Sequence, residues 1–423
     1  MNQLKFYVKL AVIKARAFLL WLRPVRVNMV AWEDRVLIIN LDMIGDVVMF
    51  TAVLKHYRAA MPGKKLYLLL NGSSGVSPVL VRDYVDEVLM VDTNAFKSDP
   101  RYGYGFIKKL RQIGFATVVE QNPGMEFVGK TIAVTLGAKE VVGYHGFAID
   151  EVFPPSANFA LGLRYFRRVL SKKFTKMIPT IPEPRAPKRL ANMISHYAAI
   201  FEGVTGQRLT DLVPRLPEPL PSDEAAKKIL AENHIEPFSY CLLSLGTSTA
   251  RKEWPVERFV ALGKILALKN IPIVLTGGKK DIPKSKEFAA ALGGNCLDLT
   301  GKTSILEAAS LVRFSLLTMS NDTSISHFAI AFKRPSFTIT WLANPGRTTV
   351  YGYPGLNVWV FKEPFPCFAD NGRCAQGIGP DEPAPCIAAI TVEEAEQALR
   401  PLLDRALAYG GRSKPEAAFS LGL

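Results

Sequence analysis

Four short polar segments hold the side chains that chemistry needs, and each follows an apolar run. The first is LDMIGD at 41–46. Asp42 and Gly45-Asp46 lie between a strand and a helix, where a glycine lets a ligand come close to the backbone and the Asp46 carboxylate can act as a general base. Asp46 could equally cap the helix that follows. The loop has neither GxxxxGK[ST] nor GxGxxG, so it is not a common phosphate cradle. The second, SLGTSTARKEWP at 244–255, offers Thr247 and Ser248 with Arg251 and Lys252. Hydroxyls, backbone amides and cations in one loop are what a diphosphate requires, although a polar loop around a packed Trp254 would look similar. The third is Thr276, Gly277 and Gly278 followed by Asp281, which could approach a nucleotide or simply turn the chain. The fourth is NDTSISH at 321–327, where Asp322 or Thr323 could cap a helix whose first amides, with Ser324, face an anion. His327 lies one turn farther on and could instead be a core histidine. No GxSxG, HExxH or DxD appears, which argues against hydrolase and metal-enzyme chemistry.

These segments need a frame that collects strand ends. The run RVLIIN at 35–40 is apolar without alternation, the pattern of a parallel strand covered on both faces. Strands are expected over 66–70, 87–91, 117–120 and, at the edge of this domain, 141–144. Helices are expected over 47–60, 76–81, 104–112, 127–136 and 187–203. The grammar restarts after LVPRLPEPLP at 212–221: strands over 240–244, 272–276, 296–298, 315–319 and 336–341 alternate with helices over 222–233, 256–268, 282–292, 305–312 and 324–331. Alternating β and α elements predict two doubly wound, Rossmann-like α/β domains facing a cleft, with ligands at the carboxyl ends of the strands. The expected boundaries are an amphipathic segment at 1–30, an α/β domain at 31–208, a Pro-rich linker at 209–222, a second α/β domain at 223–390, a helix at 391–410 and a loose tail at 411–423.

Charge divides along the same line. Residues 1–200 carry 28 Lys and Arg against 15 Asp and Glu, whereas the remainder carries 24 against 23. The basic half implies an anionic partner, either nucleic acid or an anionic lipid surface. In the first thirty residues Lys5, Lys9, Arg16 and Arg23 share one helical stripe, the rest is mostly apolar, and Trp21 could anchor at an interface. The uncharged stretch 17–22 is far too short to span a bilayer. Packing on its own domain is the alternative reading of this helix, and a targeting segment a third. A second basic run holds Arg164, Arg167, Arg168, Lys172, Lys173 and Lys176, with Tyr165, Phe166 and Phe174 among them. It could bind lipid phosphate or RNA, or be a solvated face, but no zinc-finger or RNP-like pattern accompanies it. Five cysteines, an odd number, suit a reducing compartment; Cys367, Cys374 and Cys386 lack a CxxC pair and make a poor zinc site.

In this order, RVLIINLDMIGDVVMFTAVLKHYRAAMPG at 35–63, SLGTSTARKEWPVERFVAL at 244–262, VLTGGKKD at 274–281, LTGKTSILEAASLV at 299–312 and SNDTSISHFAIAFKRP at 320–335 resemble glycosyltransferase family nine, the bacterial heptosyltransferases of lipopolysaccharide core synthesis. The resemblance covers roughly residues 35–390. It implies a two-domain GT-B enzyme, inverting, without metal or cofactor. It further implies a nucleotide-sugar donor, commonly ADP-heptose, on the C-terminal domain and an anionic lipid-linked saccharide acceptor on the N-terminal one. Asp46 matches the base of the family's GD motif; Thr247, Ser248 and Lys252 match donor-diphosphate contacts, and Lys252 would offset charge on the departing nucleotide. Asp322 matches the acidic position near the donor sugar and His327 the histidine of the next helix. Thr323, Ser324, Arg251, Thr276, Gly277 and Gly278 complete the expected donor set. Asp42, Gly45, Arg164, Arg167, Arg168 and Lys172 form the expected acceptor set. Ser324-Ile325 stands where the family usually has Gly-Pro, and the long N-terminus and the basic run at 164–176 also depart from the pattern. These departures suit a branch acting on another lipid or surface polysaccharide. The implied place is the cytoplasmic face of the inner membrane, in peripheral contact with anionic lipid and without nucleic acid. A sugar-nucleotide epimerase and a non-catalytic binding protein for lipid or nucleic acid are the alternatives.

Overall fold

The computed structural model describes residues 33–122, 127–145, 174–179, 182–183, 186–190, 192–294, 296–341, 348–362, 382–410 and 420. The segment 1–30, Arg164, Arg167, Arg168, Lys172, Cys367 and Cys374 lie outside them, as does nearly all of the expected tail. The chain divides into two compact units, the second taking over for the most part at Val213.

In the first unit β1 (Arg35–Asn40) runs into α1 (Ile44–Ala60), followed by β2 (Lys65–Asn71), β3 (Glu87–Val91), α2 (Thr93–Ser98), α3 (Pro100–Ile113), β4 (Thr117–Glu120), α4 (Phe127–Thr135), β5 (Glu140–His145) and β6 (Lys176–Pro179). The sheet order is β3-β2-β1-β4-β5-β6. Every neighbouring pair is parallel; Ile38, for example, stands between Leu68 and Val119. With a strand on each side and both faces covered, β1 has no solvated side, which is why its apolar run does not alternate. Helix α1 buries Val47, Val48, Met49, Phe50, Val53, Leu54 and Tyr57, so it too is apolar nearly all round.

Three local expectations are corrected here. β5 is not the edge strand: the end of the basic run continues as β6 and pairs with it, and Phe174 is buried so closely against Gly143 that a Cβ there would strike the ring. An aromatic spent on the core cannot stack on a nucleic-acid base. The helix expected over 76–81 is only a 3₁₀ turn, Pro78–Leu80, started by Ser77 accepting from Val79 N. The helix expected from Pro187 begins at Met193 as α5 (Met193–Thr205), because β7 (Pro182–Glu183) and β8 (Ala186–Leu190) take the preceding residues as an antiparallel pair. Asn192 Oδ1 accepts from Ile194 N at 2.9 Å, in the manner of a helix cap.

The second unit repeats the plan. Its elements are α6 (Asp223–Glu232), β9 (Cys241–Ser244), α7 (Val256–Leu268), β10 (Ile273–Thr276), α8 (Ile282–Ala291), β11 (Leu297–Asp298), α9 (Ile305–Arg313), β12 (Leu317–Asn321), α10 (Ser324–Ala331), β13 (Ser336–Ile339), β14 (Asn357–Val360), α11 (Pro385–Ala388) and α12 (Val392–Ala408). The order β11-β10-β9-β12-β13-β14 is again wholly parallel. Both sheets reverse direction of growth beside their first strand, between β1 and β4 and between β9 and β12. At such a switch point the loops diverge and leave a crevice over the strand ends. Two doubly wound parallel sheets are the GT-B type of architecture expected from the sequence.

Trp254 anchors the second core. It is 1% exposed, meets Phe259 edge-on at 5.0 Å, and donates its indole N–H to Ile390 O at 2.9 Å. Trp254→Ala should therefore lower stability by about 3–5 kcal/mol, read as an earlier urea midpoint. Trp254→Phe, which keeps a ring but loses the hydrogen bond, should cost distinctly less. Equal losses would mean that the ring contributes nothing by packing.

Candidate active site

In the second unit the switch point is built around Asn321, the fully buried last residue of β12. Its amide donates to Leu245 O at 2.7 Å and accepts from Trp254 N at 3.0 Å, so one side chain ties both ends of the loop after β9 to the end of β12. Between those ties a 3₁₀ turn, Ala250–Lys252, presents Lys252. Its ammonium lies 2.9 Å from Asp322 Oδ2 and 5.5 Å from the centre of the Trp341 ring. The two charged side chains are only 17% and 4% exposed. Burying such a pair costs desolvation, so it is a poor source of stability; what it does is hold a cation in low-dielectric surroundings, where its charge is little screened.

The remaining loop residues are held mostly by one another. Thr247 is buried and donates its hydroxyl to Thr249 O, while Thr249 N returns a bond to Thr247 Oγ1 at 3.2 Å. Lys280 donates to Thr247 O, and Lys284 pairs with Glu253 at 2.7 Å. Ser248 is exposed and Arg251 half-buried, with its carbonyl accepting from Ala384 N. Thr276 is buried, its hydroxyl 3.5 Å from that of Thr303. Asp281 turns inward: one oxygen accepts from Gly278 N at 2.9 Å, and its carboxylate fills the space that a Cβ on Gly246 would need. Glycine at 246 is thus required by the backbone's close approach to this carboxylate.

Thr323 is the N-cap residue of α10, its hydroxyl buried and without a hydrogen bond, and half-buried Ser324 opens the helix. His327 sits in the same helix with Nδ1 2.6 Å from Tyr351 Oη and the two rings stacked at 5.7 Å. Burial pushes the imidazole down to about 4, with the Asp322 carboxylate opposing and the Lys252 ammonium assisting. Its folded value lies below the unfolded one, so the unfolded chain binds more protons between those values. The stability it contributes is complete above pH 6.5 and is lost as pH falls toward 4, by about 3 kcal/mol in all. His327→Gln should flatten that part of the acid limb relative to wild type in denaturant titrations at pH 7, 5.5 and 4. Parallel limbs would show that the imidazole is not held neutral.

In the first unit the corresponding switch point holds Asp42. One carboxylate oxygen accepts from Asn122 Nδ2 and the other from Tyr197 Oη at 3.3 Å, while Asp42 N donates to Asn40 Oδ1 at 3.2 Å. Asp42 is thereby committed to neighbours just after β4, on α5 and on β1. Burial, then Asp42, then Asp46 raise the Tyr197 phenol well above its usual value, so both carboxylates lie in electrostatic reach of this one hydroxyl. Asp46 is the third residue of α1 and Met43 the N-cap, which corrects the capping alternative: the carboxylate sits in the first turn rather than at the cap. There the carboxylate faces the positive end of the helix dipole. Asp46 and Gly45 are half-buried.

The structure brings Lys252, Asp322 and His327 together in one electrostatic group. Asn321 fell inside the expected 321–327 segment without a role of its own, and Trp341, Tyr351, Asn122 and Tyr197 had none. Asn321 and Asn122 stand within or beside the polar strand ends and could have been found there, but Tyr351 and Trp341 carry no local signal. Among the described residues, no group of three His, Cys, Asp or Glu could hold a metal ion, and no helix is long and apolar enough to cross a membrane.

The arrangement has relatives. Lipooligosaccharide heptosyltransferase 2 of Haemophilus influenzae is 30% identical over 101 residues, a stretch spanning 23% of this chain and 29% of that protein. A family 9 glycosyl transferase of Veillonella parvula shares the fold with a TM-score of 0.64 at 17% identity, covering 89% of this chain and 99% of its own. The Escherichia coli heptosyltransferase WaaC, solved with ADP-2-deoxy-2-fluoro heptose, gives 0.56 at 17% identity, over 86% of this chain and 99% of the other. Residues 157–375, more than half of the sequence and the part that contains the Lys252, Asp322 and His327 group, match the model of glycosyltransferase family 9 (heptosyltransferase). By that match, and with two parallel sheets of the same order beneath it, this chain belongs to glycosyltransferase family 9.

Proposed function

We propose that the protein is an inverting glycosyltransferase that moves a sugar, a heptose from ADP-heptose, to a lipid-linked saccharide acceptor in the synthesis of lipopolysaccharide or a related surface glycan. The single observation that carries this reading is the buried Lys252–Asp322 pair at the switch point of the second sheet, 2.9 Å apart. A cation held there by one carboxylate is suited to a nucleoside diphosphate whose charge grows as it leaves. The donor is assigned to the loops holding Thr247, Ser248, Arg251 and Lys252, to Thr276, Gly277 and Gly278, and to the turn from Asp322 to His327. The acceptor is assigned to the first unit, at Asp42 and Gly45 and the basic residues Arg164, Arg167, Arg168 and Lys172.

In the proposed step Asp46 takes the proton from an acceptor hydroxyl. The oxygen forms its bond to the anomeric carbon from the face opposite the nucleotide. The bond from that carbon to the ADP oxygen breaks with its electron pair, and configuration inverts. Lys252 and the α10 amides receive the departing diphosphate, and the reaction as drawn calls for no metal. Asp42, held by Asn122 and Tyr197, shapes the polar floor on the acceptor side. Residues 1–30 are assigned peripheral contact with anionic lipid at the cytoplasmic face of the inner membrane. Loss of vesicle binding on truncation near residue 31, stronger at low than at high salt, is the expected result.

The test is mass spectrometry of the purified protein with ADP-heptose and lipid acceptors carrying or lacking a core saccharide. One added heptose on the acceptor, with ADP released, supports transfer. Interconversion of the nucleotide sugar without acceptor would make it an epimerase instead.

A further inference from the structure

Tyr351 joins the His327 and Trp359 rings in one cluster of the second unit. It lies before β14 and is 3% exposed. Trp359 on β14 donates its indole N–H to Tyr351 O at 2.8 Å, and the Tyr351 and Trp359 rings stand 6.0 Å apart. The His327 ring stacks on Tyr351 and tilts toward Trp359 at 6.4 Å, so its plane is set from two sides. Its Nδ1 meets the phenolic oxygen at 2.6 Å, while Nε2 has no hydrogen bond among the described residues. The ionisable groups acting on the ring are Asp322 and Lys252, with the Tyr351 phenol in contact.

The direction of the 2.6 Å bond decides what His327 can do. A phenol is a strong donor and, with its lone pairs drawn into the ring, a weak acceptor; a neutral imidazole offers its unprotonated nitrogen as the better acceptor. When Nδ1 accepts, the imidazole hydrogen resides on Nε2. An imidazolium here would compete with Lys252 for Asp322, whereas a neutral ring leaves that pair intact.

We propose that Tyr351 is a positioning residue: by donating to Nδ1 it locks His327 as the Nε2–H tautomer, a fixed and uncharged hydrogen-bond donor for the diphosphate of the nucleotide. The proposal rests on the donor-site reading above. It adds to the cations and hydroxyls assigned there a neutral imidazole donor whose orientation is set from outside the site.

The test is a long-range proton–nitrogen spectrum of full-length protein labelled at histidine nitrogens, with His327→Gln identifying the signals. At pH 7 the wild type should show a bare Nδ1 and a protonated Nε2, and ADP should shift the Nε2 signal. Tyr351→Phe should give a mixture of tautomers, an about tenfold lower kcat and a smaller change in donor KM. A protonated Nδ1 in the wild type, an Nε2 signal indifferent to ADP, or an unchanged tautomer in a folded Tyr351→Phe variant overturns the proposal. If that variant does not fold, the wild-type spectrum and its response to ADP decide alone. The tautomer and ADP-shift readouts need no turnover, so absent transfer with the stated tautomer and ADP response would fault the transferase reading and leave this one standing.

Discussion

Replacing Asp46 by alanine is expected to lower the turnover of sugar transfer by about a hundred- to ten-thousand-fold, the usual contribution of a general base, with ADP affinity unchanged. Asp46 is half-buried in the first turn of α1, whereas Asp42 precedes the helix N-cap. Asp42 has both oxygens engaged, by Asn122 and Tyr197, so its carboxylate is already committed within the first unit. Removing the Asp46 carboxylate also removes a favourable charge from the helix N-terminus, a loss of about 0.3–1 kcal/mol that leaves the fold intact. Asp46→Asn keeps the shape and still cannot accept the proton, so it should be as inactive as the alanine variant. Steady-state kinetics beside ADP calorimetry separate the cases. Wild-type turnover in either variant would remove Asp46 from the role of base, and a parallel loss of ADP binding would make the defect structural.

Lys252→Ala should reduce kcat by about a hundred- to a thousandfold and weaken ADP binding as well, because the ammonium offsets charge in both the bound and the departing diphosphate. It should also destabilise the protein by about 3 kcal/mol, since Asp322, 4% exposed, is left as a buried charge without its cation. Pairing the change with Asp322→Asn removes the orphaned charge. The double variant should regain most of the stability and none of the activity. Stability and activity recovering together would mean that the pair only supports the fold, whereas unchanged kinetics in Lys252→Ala would end its assignment to the leaving group. Lys252→Arg, which keeps charge but changes its shape and reach, should sit between wild type and alanine.

The strand segments were the most legible part of the sequence. Runs such as RVLIIN can be covered on both faces only inside a parallel sheet, and the polar residues directly after them fall at strand ends by chain continuity. That logic located the 41–46, 244–255, 276–281 and 321–327 segments before any contact was known. It failed where local propensity was overruled. Phe174 looked like part of a basic and aromatic surface, but the gap beside Gly143 draws it into the core. Pro187 looked like a helix start, but β7 and β8 pair there, a partnership that no single segment announces.

Which residues could carry chemistry was settled by the sequence alone, because types and order are local: a carboxylate after a glycine at 45–46, cations and hydroxyls at 247–252, and an acid and a histidine at 322–327. Which of them act on one another was decided only by the tertiary structure. Lys252 and Asp322 are 70 residues apart in the chain and 2.9 Å apart in space, because β9 and β12 are neighbours at the switch point. The partner of His327 lies beyond a further strand, in a stretch with no pattern of its own. Hydrogen bonds and ion pairs depend on distances of a few ångströms between groups that chain order leaves unrelated. Burial then multiplies their effect by removing the water that would otherwise screen them.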